Sequence, residues 1–504
     1  MGGEEVNQQY LAVDLGSSNG KILQASLGED GTLRMREAGR FATPRVWMGG
    51  HLCIDLYGVY EEICRTLMTL GKKQVPVRSI GVDAWVSDFG IVDANGDMKG
   101  LPVFYRDRRT NGMPAEVEKV ISYRELYGLT RQRKTQDTTL CQMIALLKER
   151  PDAFKEGDRI MHLGDLLMYF FSGRVCSEIS AASYSQLFDM KKQCWEDRVF
   201  DLFGIPKSIR PPVVHAGEYL GQISKKHAAF LGTNQFDVIA PATHDTSSAG
   251  VAVPAEAGTN WAFIATGSWY LVSMELDEPA DSELSYRYNL SNTGLAFGKT
   301  LLKRNVCAMW LIQECRRQWE KMGLACDYPR IAALAAQAVP FYAVIDTEDE
   351  SFYNPDDMVG SITEYLKRTG QRPVSREDIG QIARIIYESI AFKCRYALEA
   401  LKKTTGRKVD IVYVIGGASG VAFLNQMLAE AMNMEVISAP GEASAAGNIL
   451  MQAVGTGELK NEEEVRAVVR KTFPMEHYRP EEPEAWDRKY PEFLQLCGLG
   501  SEPS

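Results

Sequence analysis

Two glycine-bearing loops, at residues 14–21 and 265–269, each lie between apolar runs that read as paired strands. The first is Asp14-Leu15-Gly16-Ser17-Ser18-Asn19-Gly20-Lys21, between YLAV and KILQASL; the second is Ala265-Thr266-Gly267-Ser268-Trp269, between WAFI and YLVSM. Glycine removes the side chain where main-chain N–H groups must come close to a ligand, and hydroxyl residues beside it add hydrogen bonds. That is the composition of a phosphate cradle. One such loop in each half implies two lobes meeting on a single nucleotide, a geometry suited to moving a phosphoryl group.

Taken singly, either loop also fits a plain Gly-Ser hairpin turn. Neither is G-x-x-x-x-G-K-[ST], and neither is a G-x-G-x-x-G that opens a helix after a strand. The balance shifts with Asp14 at the end of the first strand and with Thr243-His244-Asp245-Thr246-Ser247-Ser248 after the apolar run FDVIAPA. Acidic groups at strand ends beside serine-rich turns are the parts of a kinase: one holds hydrated magnesium, the other takes a proton.

Composition narrows the class. At 504 residues, 45% hydrophobic and 24% charged, the chain is globular and long enough for two or three domains. Lys and Arg total 56 against 66 Asp and Glu, a net charge of −10, which argues against a nucleic-acid partner. No run of 18 uncharged apolar residues occurs, and the start MGGEEVNQQY is polar and acidic, so neither a membrane span nor a signal peptide is expected; the expected location is cytoplasmic. Ten scattered cysteines without C-x-x-C read as reduced thiols, and six histidines without paired spacing make a protein-built zinc site improbable.

Along the chain, YLAVDLG, KILQASL and TLRMREAGRF read as a strand meander, LYGVYEEICRTLMTL as an amphipathic helix, and VRSIGVDAWVSDFGIVDANGDM as a strand pair ending in an Asn-Gly turn. The longest helix is predicted over 375–403. Ser375 and Asp378 form its S-x-x-D cap, Ile379, Ile382, Ile386, Ile390, Cys394, Leu398 and Leu401 its core stripe, and Lys402, Lys403 and Gly406 its end. The strand DIVYVI then leads through Gly416-Gly417-Ala418-Ser419-Gly420 into a helix, where a nucleotide can lie against bare backbone.

In order and spacing, DLGSSNGK, GVDAWVSDFG, YRDRRTNG, THDTSSAG, ATGSW, KRNVCAMWLIQE and IGGASGVAFLNQ resemble the FGGY carbohydrate kinases, most of all their rhamnulokinase branch, over residues 10–480. The resemblance implies an α/β, two-lobed actin/hexokinase-like (ribonuclease H-like) fold, each lobe a five-stranded mixed sheet flanked by helices around a central ligand cleft. It places the sugar site and ATP phosphate loop in residues 1–252 and the nucleotide-binding lobe in 253–504; the Pro- and Gly-punctuated stretch between them, 250–258, reads as a hinge or as an ordinary surface loop. It implies transfer of the ATP γ-phosphoryl group to a ketose hydroxyl with Mg2+, by a monomer or homodimer. Position by position, Asp245 matches the catalytic base, and His244, Thr246 and Asn305 match sugar contacts. Asp14 matches the magnesium organiser, and Ser17, Ser18, Asn19, Gly20 and Lys21 the phosphate loop. Gly267 and Ser268, Gln313, Gly416 and Gly417 fall on the nucleotide side. Read without the resemblance, His244-Asp245-Thr246 also fits a helix cap, Asn305 a cap, and Gln313 a solvated helix face.

The sugar side departs from that pattern. The branch usually reads Asp-Thr-Trp-Gly-Val-Asp-Phe where this chain has Asp83-Ala84-Trp85-Val86-Ser87-Asp88-Phe89, so Val86 puts a branched side chain where glycine would let backbone meet sugar. Ser180-Ala181-Ala182 stands in place of Thr-Asn-Ala, and Lys21 in place of an arginine. Trp85, Val86 and Asp88 are the expected sugar contacts here. Trp85 offers a face to a sugar methyl, or simply belongs to the core. The expected substrate is a 6-deoxyketohexose such as L-rhamnulose, phosphorylated at C1, with L-fuculose and pentuloses such as xylulose or ribulose as alternatives. A nucleotide-gated sugar sensor on the same fold is the remaining reading, opposed by the retained base at Asp245.

Overall fold

In the computed structural model, which describes residues 8–324, 326–353 and 355–499, the strands fall mainly into two large sheets. Residues 1–7 of the polar start lie outside the described residues. The first sheet contains β1 (Gln9–Leu15), β2 (Asn19–Leu27), β3 (Leu33–Ala42), β4 (Val77–Ala84), β5 (Tyr219–Gln222) and β6 (Asp237–Ile239), in the order β5-β6-β4-β1-β2-β3. The second contains β7 (Trp261–Thr266), β8 (Trp269–Leu276), β9 (Ser291–Gly294), β10 (Thr300–Cys307), β11 (Ile411–Gly416), β12 (Glu435–Ser438) and β13 (Glu476–Tyr478), in the order β9-β10-β8-β7-β11-β12-β13.

Stripped of β5, β9 and β13, the sheets repeat one topology. An antiparallel meander, β1-β2-β3 or β7-β8-β10, is joined on its first strand by two parallel strands, β4 and β6 or β11 and β12. The implied five-stranded sheets are therefore the cores of a six- and a seven-stranded sheet, widened by antiparallel edge strands.

Period-two alternation decides which side of each sheet is buried in what. Leu11, Val13 and Leu15 of β1 enter the core of the first lobe. Tyr10 and Ala12 enter a middle layer with Phe263 and Ala265 of β7, whose alternate residues Ala262 and Ile264 enter the core of the second lobe. That middle layer holds α2 (Asp245–Val251) and α6 (Ala443–Gly455). The two helices cross so closely that a Cβ on Gly447 would lie 1.8 Å from the Ser248 carbonyl oxygen, so only glycine fits there.

Helix α1 (Leu56–Lys72) covers the first sheet with Leu56, Val59, Ile63, Leu67 and Leu70, and Asp55 caps it by accepting from the Gly58 N–H at 3.0 Å. Helices α3 (Met309–Lys321), α4 (Ile379–Thr405) and α5 (Ala422–Met432) pack on the second. The cap of α4 is Asp378, accepting from Gln381 N–H at 3.0 Å; the Ser375 hydroxyl instead bonds Glu377, so the helix starts later than its S-x-x-D pattern predicts. Gly406 ends it in the left-handed region, φ 67°.

Two other expectations change. Phe89–Val92 pairs with Arg159–His162 in a small sheet of its own, not with β4, because residues between the first sheet's strands build a separate apolar cap around Leu126, Leu140 and Phe200. The stretch expected as a hinge is packed: Val251, Ala252, Val253 and Ala255 are buried in the middle layer, and Arg470 donates to the Ala255 carbonyl at 2.6 Å. Only Glu256–Gly258 is an exposed turn. The ten cysteines are free thiols, and among the described residues no helix is long and apolar enough to cross a membrane.

Candidate active site

The C-terminal ends of β1, β4, β7 and β11 converge on a cavity of about 590 Å³ between the lobes. Strand ends leave main-chain groups and side chains facing a crevice, the usual ligand position in such sheets. Both glycine loops stand on its wall. In the first, the Gly16 N–H closes the turn onto the Asn19 carbonyl at 3.0 Å, Thr43 Oγ1 donates to the Gly16 carbonyl at 2.6 Å, and Ser17, Ser18 and Asn19 face the cavity. In the second, Gly267 N–H closes onto Trp269 at 3.0 Å, and Ser268 Oγ donates to Gln313 Oε1 on α3 at 3.0 Å. Gly416, at φ 91°, lies so close to β7 that a Cβ would stand 2.7 Å from the Thr266 carbonyl oxygen.

Three sequence-predicted residues stand off this wall. Gly20 packs under the Phe41 ring, where a Cβ would meet the ring at 2.3 Å. Gly417 is next to the wall but does not line it. Asp88 is fully buried behind Trp85, accepting from Trp85 Nε1 at 2.8 Å and from Gln142 Nε2 at 2.7 Å; burial pushes its carboxyl up to about 7 against those bonds. It therefore fixes the Trp85 ring, which does face the cavity. Lys21 faces the cavity too, tied to Glu442 of the other lobe at 2.7 Å.

The acidic centre is built by register. Parallel pairing sets Asp14 beside Asp83, and Asp245 opens α2 across from them. Burial, with Asp245 adding to it and Lys21 opposing it, pushes the Asp14 carboxyl up to about 7. Asp83 is raised well above its ordinary value by burial and by Asp14; its Oδ2 accepts from Asn448 Nδ2 at 2.6 Å, and its Oδ1 has no partner. Burial also raises Asp245, opposed by its bonds to Thr246 and by Lys303.

Asp245 is polarised in its bonding. Oδ1 accepts from the Thr246 N–H at 2.5 Å and the Thr246 hydroxyl at 3.1 Å, and lies 3.5 Å from His244 Nε2. Among the described residues nothing bonds Oδ2. A carboxylate with one oxygen held and the other open to a cavity is placed to accept a substrate proton. Its loop is held from behind by buried Glu178, whose Oε2 accepts from the Thr243 N–H at 2.9 Å, while Ser180 Oγ accepts from the His244 N–H at 3.0 Å.

On the sugar side the two departures from the family pattern meet. Val86 packs with Ala181 and Tyr184, so the added branched side chain fills space beside a trimmed one. Asn305 reaches the cavity with its buried Oδ1 unpartnered. Arg133, Asp137, Tyr184 and Lys303 also line it and escape the sequence reading. Lys303 was legible, because it shares a strand face with Asn305 two residues on. The others were not: Tyr184 donates to Asp137 Oδ2 at 3.0 Å and Arg133 stands 3.3 Å from the Tyr184 hydroxyl, a cluster made by tertiary packing of segments with no motif of their own.

The donor set suits a magnesium nucleotide. Around Asp14 it is all oxygen, as a hard divalent cation prefers, with a buried carboxylate oxygen of Asp83 left over. Among the described residues no cluster of three or more His, Cys, Asp or Glu could hold a metal alone, so such a cation would complete its shell with water and phosphate oxygens. The two turns supply main-chain N–H groups, and Arg316 and Arg317 on α3 add positive charge.

Known proteins match nearly the whole chain. Residues 10–252 match the N-terminal domain, and 262–456 the C-terminal domain, of the FGGY family of carbohydrate kinases. A rhamnulokinase of Bacteroides thetaiotaomicron is 33% identical over 488 residues, 97% of this chain and 99% of that one. One from Enterococcus faecalis is 32% identical, over 94% of this chain and 95% of its own. A ligand-bound xylulose kinase from Lactobacillus acidophilus superposes with TM-score 0.79 at 13% identity, covering 97% of this chain and 98% of that one. Plasmodium falciparum glycerol kinase with ADP gives 0.75 at 13%, over 98% and 97%. With both domains matched along a two-lobed fold and an acid-lined cleft, the chain belongs to the FGGY family of carbohydrate kinases.

Proposed function

We propose that this kinase transfers the γ-phosphoryl group of ATP to the C1 hydroxyl of a 6-deoxyketohexose, L-rhamnulose or a close relative. The observation that carries the chemistry is Asp245, with its donors gathered on Oδ1 and Oδ2 open to the cavity. The sugar rests on the relatives named rhamnulokinase.

ATP with Mg2+ would supply the transferable group and offset its charge. Asp14 would hold the cation through its water shell, and the turns at Gly16–Asn19 and Gly267–Ser268 would hold the phosphates by main-chain N–H groups. Asp245 Oδ2 takes the proton of the sugar hydroxyl as that oxygen forms its bond to phosphorus. Trp85 offers an apolar face to the sugar methyl, its ring fixed by Asp88. Walls from both lobes exclude water from the reacting atoms.

A second reading, L-fuculose or a pentulose, is favoured by the Val86–Ala181 pair, which has lost a polar side chain that a differently oriented hydroxyl would not need. Coupled ATP turnover with a panel of free ketoses decides between them. L-rhamnulose giving the highest kcat/KM supports the first reading; a higher value for L-fuculose or a pentulose replaces it, and no turnover with any ketose favours a sugar sensor.

A further inference from the structure

The chain buries two lysines almost completely, and it treats them oppositely. Lys393, 1% exposed, is clamped by Asp346 at 2.8 Å and Glu348 at 3.1 Å and does not line the cavity. Lys303, 0% exposed, has no carboxylate partner among the described residues. Its Nζ lies 3.3 Å from His244 Nδ1 and 5.6 Å from the centre of the Tyr184 ring, and it lines the cavity. A buried cation without a counter-ion is costly, so folds that keep one usually use it.

Hydrogen-bond directions along this row are constrained. In its ammonium form, which Asp245 favours, Lys303 has three donors and no lone pair, so that form can only donate to His244 Nδ1. Neutral imidazole carries one proton, which must then sit on Nε2; Ser247 Oγ, 3.4 Å from the same Nδ1, gives its own proton to the Gly294 carbonyl at 2.9 Å and is the acceptor that would favour the opposite tautomer without Lys303. His244 is kept neutral by burial, by Lys303 and by His162. Its Nε2 is the nitrogen that faces Asp245 Oδ1 at 3.5 Å. The row therefore reads Lys303 Nζ–H to Nδ1, then Nε2–H toward Asp245 Oδ1, on the oxygen that Thr246 also holds.

We propose that Lys303 is a positioning residue for the base: it fixes the His244 tautomer so that Nε2–H is turned to Asp245 Oδ1, leaving Oδ2 as the oxygen that takes the sugar proton. With the opposite tautomer, the bare Nε2 would set a lone pair against the carboxylate and repel it. In the reaction the sugar O–H bond breaks, its oxygen bonds to phosphorus, the bond from phosphorus to ADP breaks, and the proton ends on Oδ2. Lys303 and His244 keep their own protons throughout. The charged groups around Lys303 are Asp245, Arg133 and Asp137; burial pulls the lysine down to about 7 and Asp245 works against that.

This inference rests on Asp245 being the base, and the two failures are told apart. Turnover retained in Asp245→Asn would overturn the base, and with it the positioning role, whatever the tautomer; the outcomes below overturn the positioning role and leave the base standing. The inference itself is read by ¹⁵N NMR of histidine-labelled protein, with the His244 signal assigned by His244→Asn. The protein should show His244 protonated at Nε2, with Nδ1 unprotonated. Lys303→Met, similar in volume and without the buried charge, should fold, lose that tautomer preference and drop kcat about 10–10²-fold, as loss of a group that orients a reacting one does. Lys303→Arg should keep the tautomer and recover part of kcat. A native His244 protonated at Nδ1 overturns the proposal without any variant. So does a Lys303→Met protein with an unchanged tautomer, or one with a changed tautomer and undiminished kcat.

Discussion

The two halves repeat one chain path yet set opposite chemistry at matching places. In the first, the parallel pair β1–β4 brings Asp14 beside Asp83 near the strand ends; in the second, β7–β11 brings Thr266 beside Gly416. Thr266 is fully engaged within the backbone, donating to the Ile415 carbonyl at 2.8 Å and accepting from the Ala418 N–H at 3.0 Å. The helices that follow differ in the same way. Helix α2 opens on Asp245, the proposed base, whereas α6 follows Glu442, which is paired with Lys21. Topology delivers strand ends to the cleft twice, and residue type makes one set acidic and the other a neutral bed. Such a division suits a reaction in which one side handles a cation and a proton and the other only cradles a nucleotide.

The comparison breaks most sharply at the base. Asp245→Asn should lower kcat by about 10²–10⁴-fold, or roughly 3–5 kcal/mol of barrier, with ATP affinity by calorimetry within a few-fold of the parent. A folded variant turning over near the parental rate would remove the first half's claim to the proton.

Charge in the second half sets stability instead. Although burial works to raise it, Arg304 and Lys393 hold the Glu348 carboxyl down at about 2, from an ordinary 4.5. A depressed folded value means the contribution is complete above pH 4.5 and is lost as pH falls from there toward 2. The shift corresponds to about 3 kcal/mol. Glu348→Gln strands Arg304 and leaves Lys393 with Asp346 alone, so urea unfolding at pH 7 should show a loss of about 3–5 kcal/mol, with kcat per folded molecule far less affected than by Asp245→Asn. Equal stability of parent and variant would show that this cluster is not what anchors the second lobe's charge.

What the sequence disclosed follows the same divide. The two hairpins and the strand-glycine-helix at 411–432 were legible because period-two alternation and glycine placement are local signals. The extra edge strands β5, β9 and β13 were not, being three or four residues long and held by neighbours. Asp88 looked like a sugar contact because its motif touches the cleft; its side chain points the other way since Trp85 and Gln142 claim both oxygens. Arg133 and Asp137 lie in RQRKTQD, which has no periodicity to place it, and reach the cavity only through the packing of the cap. The supposed hinge shows the limit of reading Pro and Gly as flexibility: Gly250–Ala255 is small because it threads a packed middle layer.

A smaller effect concerns the sugar wall. Because Val86 packs on Ala181, Val86→Gly alone opens a gap, and the double variant Val86→Gly/Ala181→Asn is the better probe. It should change the preference between L-rhamnulose and L-fuculose by about 10–100-fold in kcat/KM. An unchanged preference would place specificity elsewhere on the cavity wall.

The smallest expected effect lies where the halves touch. Lys21, on the acidic side, pairs with Glu442 on the neutral side, their side chains 22% and 41% exposed. An ion pair that open to solvent is worth about 0–1 kcal/mol, so Glu442→Gln should leave the unfolding midpoint almost unmoved. Its effect falls on the nucleotide. Lys21 faces the cavity beside Ser17 and Ser18, and to meet a phosphate it must leave Glu442. Removing the competitor should therefore tighten ATP binding by up to about 5-fold, the equivalent of 1 kcal/mol, and the gain should shrink as salt screens both partners. Calorimetric titration at low and high ionic strength reads it. Unchanged affinity at low salt would mean that Lys21 stays with Glu442 when nucleotide binds, and that this charged tie is a strut between the halves and not a phosphate ligand in waiting.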